Sequence, residues 1–272
     1  MKRLMCIVLA SATCSSYAAF ERTGKGSVQA AMGGAGVAVT GNPWSPFSNP
    51  ALITAISGRV VSVTVVPQQF GLSELSEGSL CFIEPTTVGL FGLSAVRSGF
   101  ELYREMLVGL SFGYPVADQF SVGVTVTYNS VLITNYGSDW TIGIDAGATV
   151  VFTKDLHWGF ALYNANAPAI GQIDEPLPQV YSTGLEYKPL NGVVVATDVV
   201  KDIRYPAELR FGLQYTIFDL LSFRGGTSLE PSLMTAGLGV HYAGFQFDYA
   251  LLSHHVLGVT HQFSVSIWTD EF

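Results

Sequence analysis

Five ionisable side chains, Asp145, Glu208, Arg210, His241 and Asp248, sit in otherwise apolar segments that alternate residue by residue. Each lies on the Gly/Ser/Thr side of its segment, away from the Leu, Val and Phe side. Opposite charges on one face of a sheet pair across strands, and a buried charge needs a partner in any case. The plain reading of the set is a structural ladder; the functional one is a polar lining below an apolar ligand pocket. A second set, Asn49-Pro50-Ala51-Leu52-Ile53, is uncharged. Pro50 holds Asn49 extended and donates no N–H. The Asn49 amide is therefore expected to bond the freed backbone or an inward charge such as Arg210 or Asp248. Leu52 and Ile53 would then rest on an inner wall, and the corner would bind or gate a ligand.

Other residues mimic chemistry without completing it. Gly33, Gly34 and Gly36 lack the last glycine of a dinucleotide fingerprint and follow no strand, and Gly24-Lys25-Gly26-Ser27 lacks the spacer of a P-loop. Ser253, His254 and His255 offer no nucleophile–base–orienter set. Adjacent residues in a strand point to opposite faces, so the two histidines cannot ligate one metal there and are expected at a hairpin tip. By phase His241 points inward and His261 outward. No cofactor, metal site or catalytic residue is expected, and the chain does not read as an enzyme.

The elements that must position these residues are strands. Of 272 residues only 12% are charged and 49% are hydrophobic, with 29 Gly, 17 Phe and 12 Tyr. That charged share is about half the usual one, which suits an outer surface facing lipid. The mature chain has no apolar run of spanning-helix length, so the remaining way across a bilayer is a closed β-barrel. Segments of about ten alternating residues recur throughout. The clearest runs from Phe120 to Asn129, with Phe120, Val122, Val124, Val126 and Tyr128 on one face and Ser121, Gly123, Thr125, Thr127 and Asn129 on the other. A charge facing lipid at the midplane costs a few kcal/mol, so the Gly/Ser/Thr face is the inner one. The expected fold is all-β: a transmembrane antiparallel β-barrel with a small N-terminal lumenal plug. Strands beginning near 58, 77, 86, 100, 119, 139, 156, 178, 191, 206, 220, 232, 245 and 258 give fourteen; twelve follow if Glu74 to Gly92 is a loop. Leu72 to Gly78 and Asn164 to Pro178 are the candidate extracellular loops, and Tyr114, Tyr128, Trp140, Tyr215 and Trp268 the candidate interfacial girdle. The final strand either carries a bulge or ends near Trp268, since Phe272 is out of phase with Phe263, Val265 and Ile267.

The expected organisation is a signal peptide over 1–19, a plug or hatch over 20–57 and the barrel over 58–272. Lys2 and Arg3, the apolar run Leu4 to Ala12, and Ser16-Tyr17-Ala18-Ala19 have the order of an export signal cleaved after Ala18 or Ala19. Its loss removes two basic residues and no acidic ones, taking the formal charge from −8 to −10; an acidic chain argues against nucleic acid as a partner. Cys6 and Cys14 leave with the signal, and Cys81 remains without an intrachain disulfide partner. The stretch Gln29 to Gly58 carries no charge and is broken by Gly and Pro. It suits neither a solvated tail nor a spanning helix, and is read as folded into the lumen.

The run Met32-Gly33-Gly34-Ala35-Gly36-Val37-Ala38-Val39, followed by Asn49-Pro50-Ala51, resembles the N-terminal signature of the PorV/PorQ family, within the long-chain fatty-acid-transporter-like (FadL-like) group of outer-membrane barrels. Ser48 to Thr54 also resembles the hatch of the fatty-acid transporters. Phe247-Asp248-Tyr249-Ala250-Leu251 and Leu257 to Ile267 are similar to the family's last hairpin. Asp145-Ala146-Gly147-Ala148 and Leu162-Tyr163-Asn164 are similar to its "DxG" strand and "NxG" strand end. Two positions depart from the pattern: Gln262 stands where a basic residue is usual, and Thr40-Gly41-Asn42-Pro43 where acidic ones are. The resemblance implies a fourteen-stranded barrel with a lumenal hatch, in a group where some members pass hydrophobic molecules and others dock proteins in a secretion system.

The leading expectation is passive transport of small hydrophobic or amphipathic molecules, gated by the plug, in the outer membrane of a Gram-negative-type bacterium. The alternative is a protein-docking or secretion-system component; a lipid hydrolase ranks last. Outer-membrane lipid, a small hydrophobic ligand and an exported protein are the corresponding partners.

Overall fold

A computed structural model describes residues 20, 24–171, 174–230 and 232–269. The expected signal peptide and the terminal Phe272 lie outside the described residues. Fourteen strands form one closed antiparallel barrel: β1 (Arg59–Val66), β2 (Glu77–Thr86), β3 (Gly89–Gly99), β4 (Tyr103–Ala117), β5 (Phe120–Ile133), β6 (Gly137–Thr153), β7 (Leu156–Tyr163), β8 (Val180–Tyr187), β9 (Val193–Asp202), β10 (Glu208–Ile217), β11 (Leu221–Leu229), β12 (Ser232–Tyr242), β13 (Phe245–His254) and β14 (Gly258–Thr269). Each pairs with its neighbours in sequence, and β1 closes on β14 from Arg59↔Thr269 to Val65↔Phe263. The stretch from Glu74 to Gly92 is not a loop, which removes the twelve-strand alternative. Glu77 to Thr86 pairs with β1 on one side and β3 on the other.

Alternation does the sorting. On β5, Val124 and Val126 are about half exposed on the outer face, while Thr125 and Thr127 are buried on the inner one. The same holds around the wall, with Leu110, Leu213, Leu238 and Phe247 outside and Ser111, Ser264 and Asp248 inside. Such an outer face is stable against hydrocarbon, and closure leaves no unpaired strand edge. Trp140 stacks on Tyr128 on the outside, with ring centres 5.7 Å apart. Trp268 is a correction: it continues the inward phase of Gln262, Ser264 and Ser266 and packs against the core, so it is not part of an outer girdle. Pro115 sits at the register shift between β4 and β5, where its missing N–H does least harm to the ladder.

The wall is uneven. β4, β5 and β6 have 15, 14 and 17 residues, against 8 in β7 and in β8. The far part of β6 therefore extends past β7, and connection 164–179 covers it. Ala165 N–H donates to Ile144 O, Asn166 bonds Ile142 and Ile144, and Gly171 N–H donates to Asp139. This connection and 67–76 mark a long-loop end. The opposite end has short turns and holds both the start of β1 and the end of β14.

Residues 24–56 run through the lumen. They form a short helix α1 (Ser27–Ala31) and two 3-10 turns, Ser45–Phe47 and Pro50–Ala55. α1 lies against β11–β14, and the second 3-10 turn against β3–β6. Trp44, Phe47, Ile53 and Ile56 pack with Val60, Cys81, Ile83, Val96 and Leu107 of the wall in the main apolar cluster.

Candidate functional site

Asn49 is extended at φ −165°, ψ 110°, and caps the second 3-10 turn by accepting the Ala51 N–H at 3.0 Å. Its amide nitrogen donates to Val37 O at 2.8 Å and to Ala148 O of β6 at 3.0 Å. One side chain thus joins two parts of the plug to the wall. Its partners are backbone atoms; the expected alternative, a bond to Arg210 or Asp248, is not the one formed. Pro50 begins the turn with its fixed φ, and Ala51, Leu52 and Ile53 are fully buried. The wall opposite has no side chain: a Cβ on Gly147 would overlap Asn49 Oδ1, and one on Gly113 would approach Ile53 Cγ1 to 2.5 Å.

The glycine-rich run is held by wall side chains. Gly33 N–H donates to Thr235 Oγ1 at 2.9 Å, and Thr235 in turn donates to Ala31 O at 2.8 Å. Gly36 and Val37 N–H both donate to Asp198 Oδ2, at 2.7 and 3.0 Å. Two residues further along the inner face of the β8–β9 pair, Glu186 accepts from Thr40 N–H at 3.2 Å and Thr40 Oγ1 at 2.8 Å. His157 Nδ1 and Lys188 Nζ also contact Glu186, at 2.7 and 3.3 Å, and Lys188 donates to Thr40 Oγ1 at 2.7 Å. Buried backbone without a regular ladder must find such partners, and carboxylates accepting N–H bonds are the strong kind.

The five inward ionisable residues do not meet at one place. Arg210 pairs with Glu208 at 2.7 Å and donates to Gly34 O at 3.3 Å. Asp248 pairs with Arg224 at 2.7 Å and accepts from Gln246 at 2.8 Å. Asp145 is buried at the other side of the barrel, where it accepts the Asn164 N–H at 2.8 Å and ends β7. His241 lines a cavity at the short-turn end. Asp198, Glu186 and Arg224 were not singled out from the sequence. The signal that finds them is the phase: Glu186 alternates with Leu185 and Tyr187, and Arg224 with Phe223, as Asp248 does with Phe247 and Tyr249.

His254 Nδ1 accepts from Val256 and Leu257 N–H and closes the last hairpin, with His255 stacked beside it. His261 points outward and bonds Tyr249. Among the described residues no group of three or more His, Cys, Asp or Glu could hold a metal ion.

Two cavities flank the plug on its β7–β13 side. The first, toward the long-loop end, is only about 20 Å³ and is lined by Val37, Tyr163, Asp198 and Arg210 among others; that is room for a water or so. The second, at the short-turn end, is a vestibule of about 320 Å³. Between them run residues Val37 to Thr40, pinned by Asp198 and Glu186.

No family model and no curated protein matches the chain. Solved structures do. The CymD monoaromatic hydrocarbon channel is 14% identical, with a TM-score of 0.72 over 92% of this chain and 99% of that one. The P. putida toluene transporter TodX is 13% identical, with a TM-score of 0.70 over 93% and 100%. A Pseudomonas aeruginosa FadL homologue is 14% identical, with a TM-score of 0.62 over 88% and 97%. At these identities the likeness is one of fold: a closed antiparallel barrel, with no helix among the described residues long and apolar enough to cross a membrane.

Proposed function

We propose that this chain is an outer-membrane barrel that passes small hydrophobic or amphipathic molecules, with residues 24–56 as the barrier in its lumen. It is a channel and not an enzyme, exported to the outer membrane of a Gram-negative-type bacterium. The observation that carries this reading is the plug itself. It is uncharged from Gln29 to Gly58, it separates two cavities, and it is tied to the wall by one hydrogen bond through Asn49 and two each through Thr235 and Asp198, among others. Each such bond is worth about 1 kcal/mol, somewhat more to a charged acceptor, so the barrier is stable yet divisible. The likeness to hydrocarbon channels supports the same reading.

Within the FadL-like group we place the chain near the PorV/PorQ members, on the strength of the Met32–Val39 signature. The docking role some of those members have is the less favoured one here. Among the described residues of connection 164–179, Ile170 and Leu177 pack in the barrel core, which ties that connection down onto the barrel.

The test is deletion of Gly41 to Ile53, which touches no strand. The expected result is a folded barrel, seen as heat-modifiable mobility on gels, with raised solute flux through reconstituted liposomes. A folded deletion variant with unchanged flux would remove the transport reading in favour of docking.

A further inference from the structure

We infer that the vestibule at the short-turn end is a binding site for small, uncharged, oxygen-bearing organic molecules, and that it excludes bare hydrocarbons. Its volume of about 320 Å³ falls at the lower end of the range of small-ligand pockets. Its lining is unlike that of an apolar pocket: polar residues outnumber apolar ones, and the valines are spread among amides, hydroxyls and ion pairs. A hydrocarbon there would displace water from these groups and return no hydrogen bond.

The charges and donors define the ligand further. Two of the three carboxylates have donors from the protein itself, and the third, Asp219, is exposed in the turn between β10 and β11. Glu186 is held by Thr40, His157 and Lys188, and Asp248 by Arg224 and Gln246. Donors, by contrast, are left over. Arg224 spends Nε on Gln214 at 2.6 Å and Nη1 on Asp248 at 2.7 Å, and Nη2 has no acceptor among the described residues. Lys188 uses two of its three N–H groups, on Thr40 and Glu186. A lining with spare N–H groups calls for an acceptor such as a carbonyl, ether or hydroxyl oxygen. The formal charge argues against an anion: Lys188 and Arg224 face Glu186, Asp219 and Asp248, one net negative charge. A neutral acceptor meets both conditions.

This deepens the transport reading and rests on it only in taking the vestibule as the place a crossing solute leaves from. The test places a cysteine in the lining, Thr216→Cys in a Cys81→Ala background of the full chain, and follows its labelling by a water-soluble maleimide. Acetophenone, toluene and benzoate are the probes, and Val194→Cys is the second reporter should the first variant not fold. Acetophenone is expected to slow labelling, toluene at equal concentration to leave it unchanged, and benzoate to act more weakly than acetophenone. Lys188→Met should raise the half-protecting acetophenone concentration about fivefold, the value of one hydrogen bond. Equal protection by toluene, strongest protection by benzoate, or no protection by any probe would each overturn the inference. Liposome flux is read separately: protection without flux sinks the transport reading and leaves the site, while flux without protection sinks the site alone.

Discussion

Replacing Asp198 by leucine should open the barrier without unfolding the wall. One carboxylate oxygen accepts both the Gly36 and Val37 N–H groups, at 2.7 and 3.0 Å, and all three residues are buried. Leucine leaves two buried donors unpaired, at about 1–3 kcal/mol each. It also removes the cost of burying a carboxylate, which offsets part of that loss. A net of about 3 kcal/mol corresponds to roughly a hundredfold rise in the population with Gly36–Thr40 released. Asp198→Asn keeps an oxygen acceptor of the same shape but loses the charge, so about 1 kcal/mol and roughly fivefold is expected. Conductance in planar bilayers reads the open population, hydrogen exchange at Gly36 and Val37 reads the release itself, and heat-modifiable mobility confirms the barrel. The reasoning fails if Asp198→Leu folds with wild-type conductance and wild-type exchange at those two amides, or if the asparagine variant opens as far as the leucine one.

Gly147→Val should eject the Asn49 corner, because even a Cβ there would overlap Asn49 Oδ1; the expected readout is new protease cleavage near Asn49 in an intact barrel, and a protected Asn49 would refute it. In a Cys81→Ala background, cysteines at Val124 and Val126 should resist aqueous thiol reagents because they face lipid. Cysteines at Thr125 and Thr127 should resist them because the plug covers them, and should become reactive only after deletion of Gly41 to Ile53; reactivity of Thr127→Cys in the otherwise intact chain would show the plug already displaced. Arg224→Met leaves Asp248 buried without its cation and should cost about 3 kcal/mol or more of thermal stability, largely restored in Arg224→Met with Asp248→Leu. Failure of the second change to recover the melting temperature would show that the pair does more than satisfy itself.

The sequence by itself determined the wall. Period-2 alternation is a local property, so Val122, Val124 and Val126 declare their face without reference to any other strand, and the scarcity of charge states what that face meets. The strand count did not follow from that pattern alone: Glu77 to Thr86 carries the unbroken apolar run Leu80-Cys81-Phe82-Ile83, which blurs the alternation, and only its pairing with β1 and β3 decides for fourteen. The lumen was legible only in part. That Asn49 and Pro50 form a corner follows from proline's own geometry, but the partners of that corner, Val37 O and Ala148 O, lie 12 and 99 residues away. Arg224 and Asp248 reach each other from β11 and β13 across Gly239 of β12, and a side chain at Gly239 would stand between them. Which inward charge meets which, and which stretch of wall is bare enough for the plug to touch, are set by shear and closure of the barrel. Alternation fixes the face a residue takes but not its height in the lumen, and that height comes only with the closed tertiary structure.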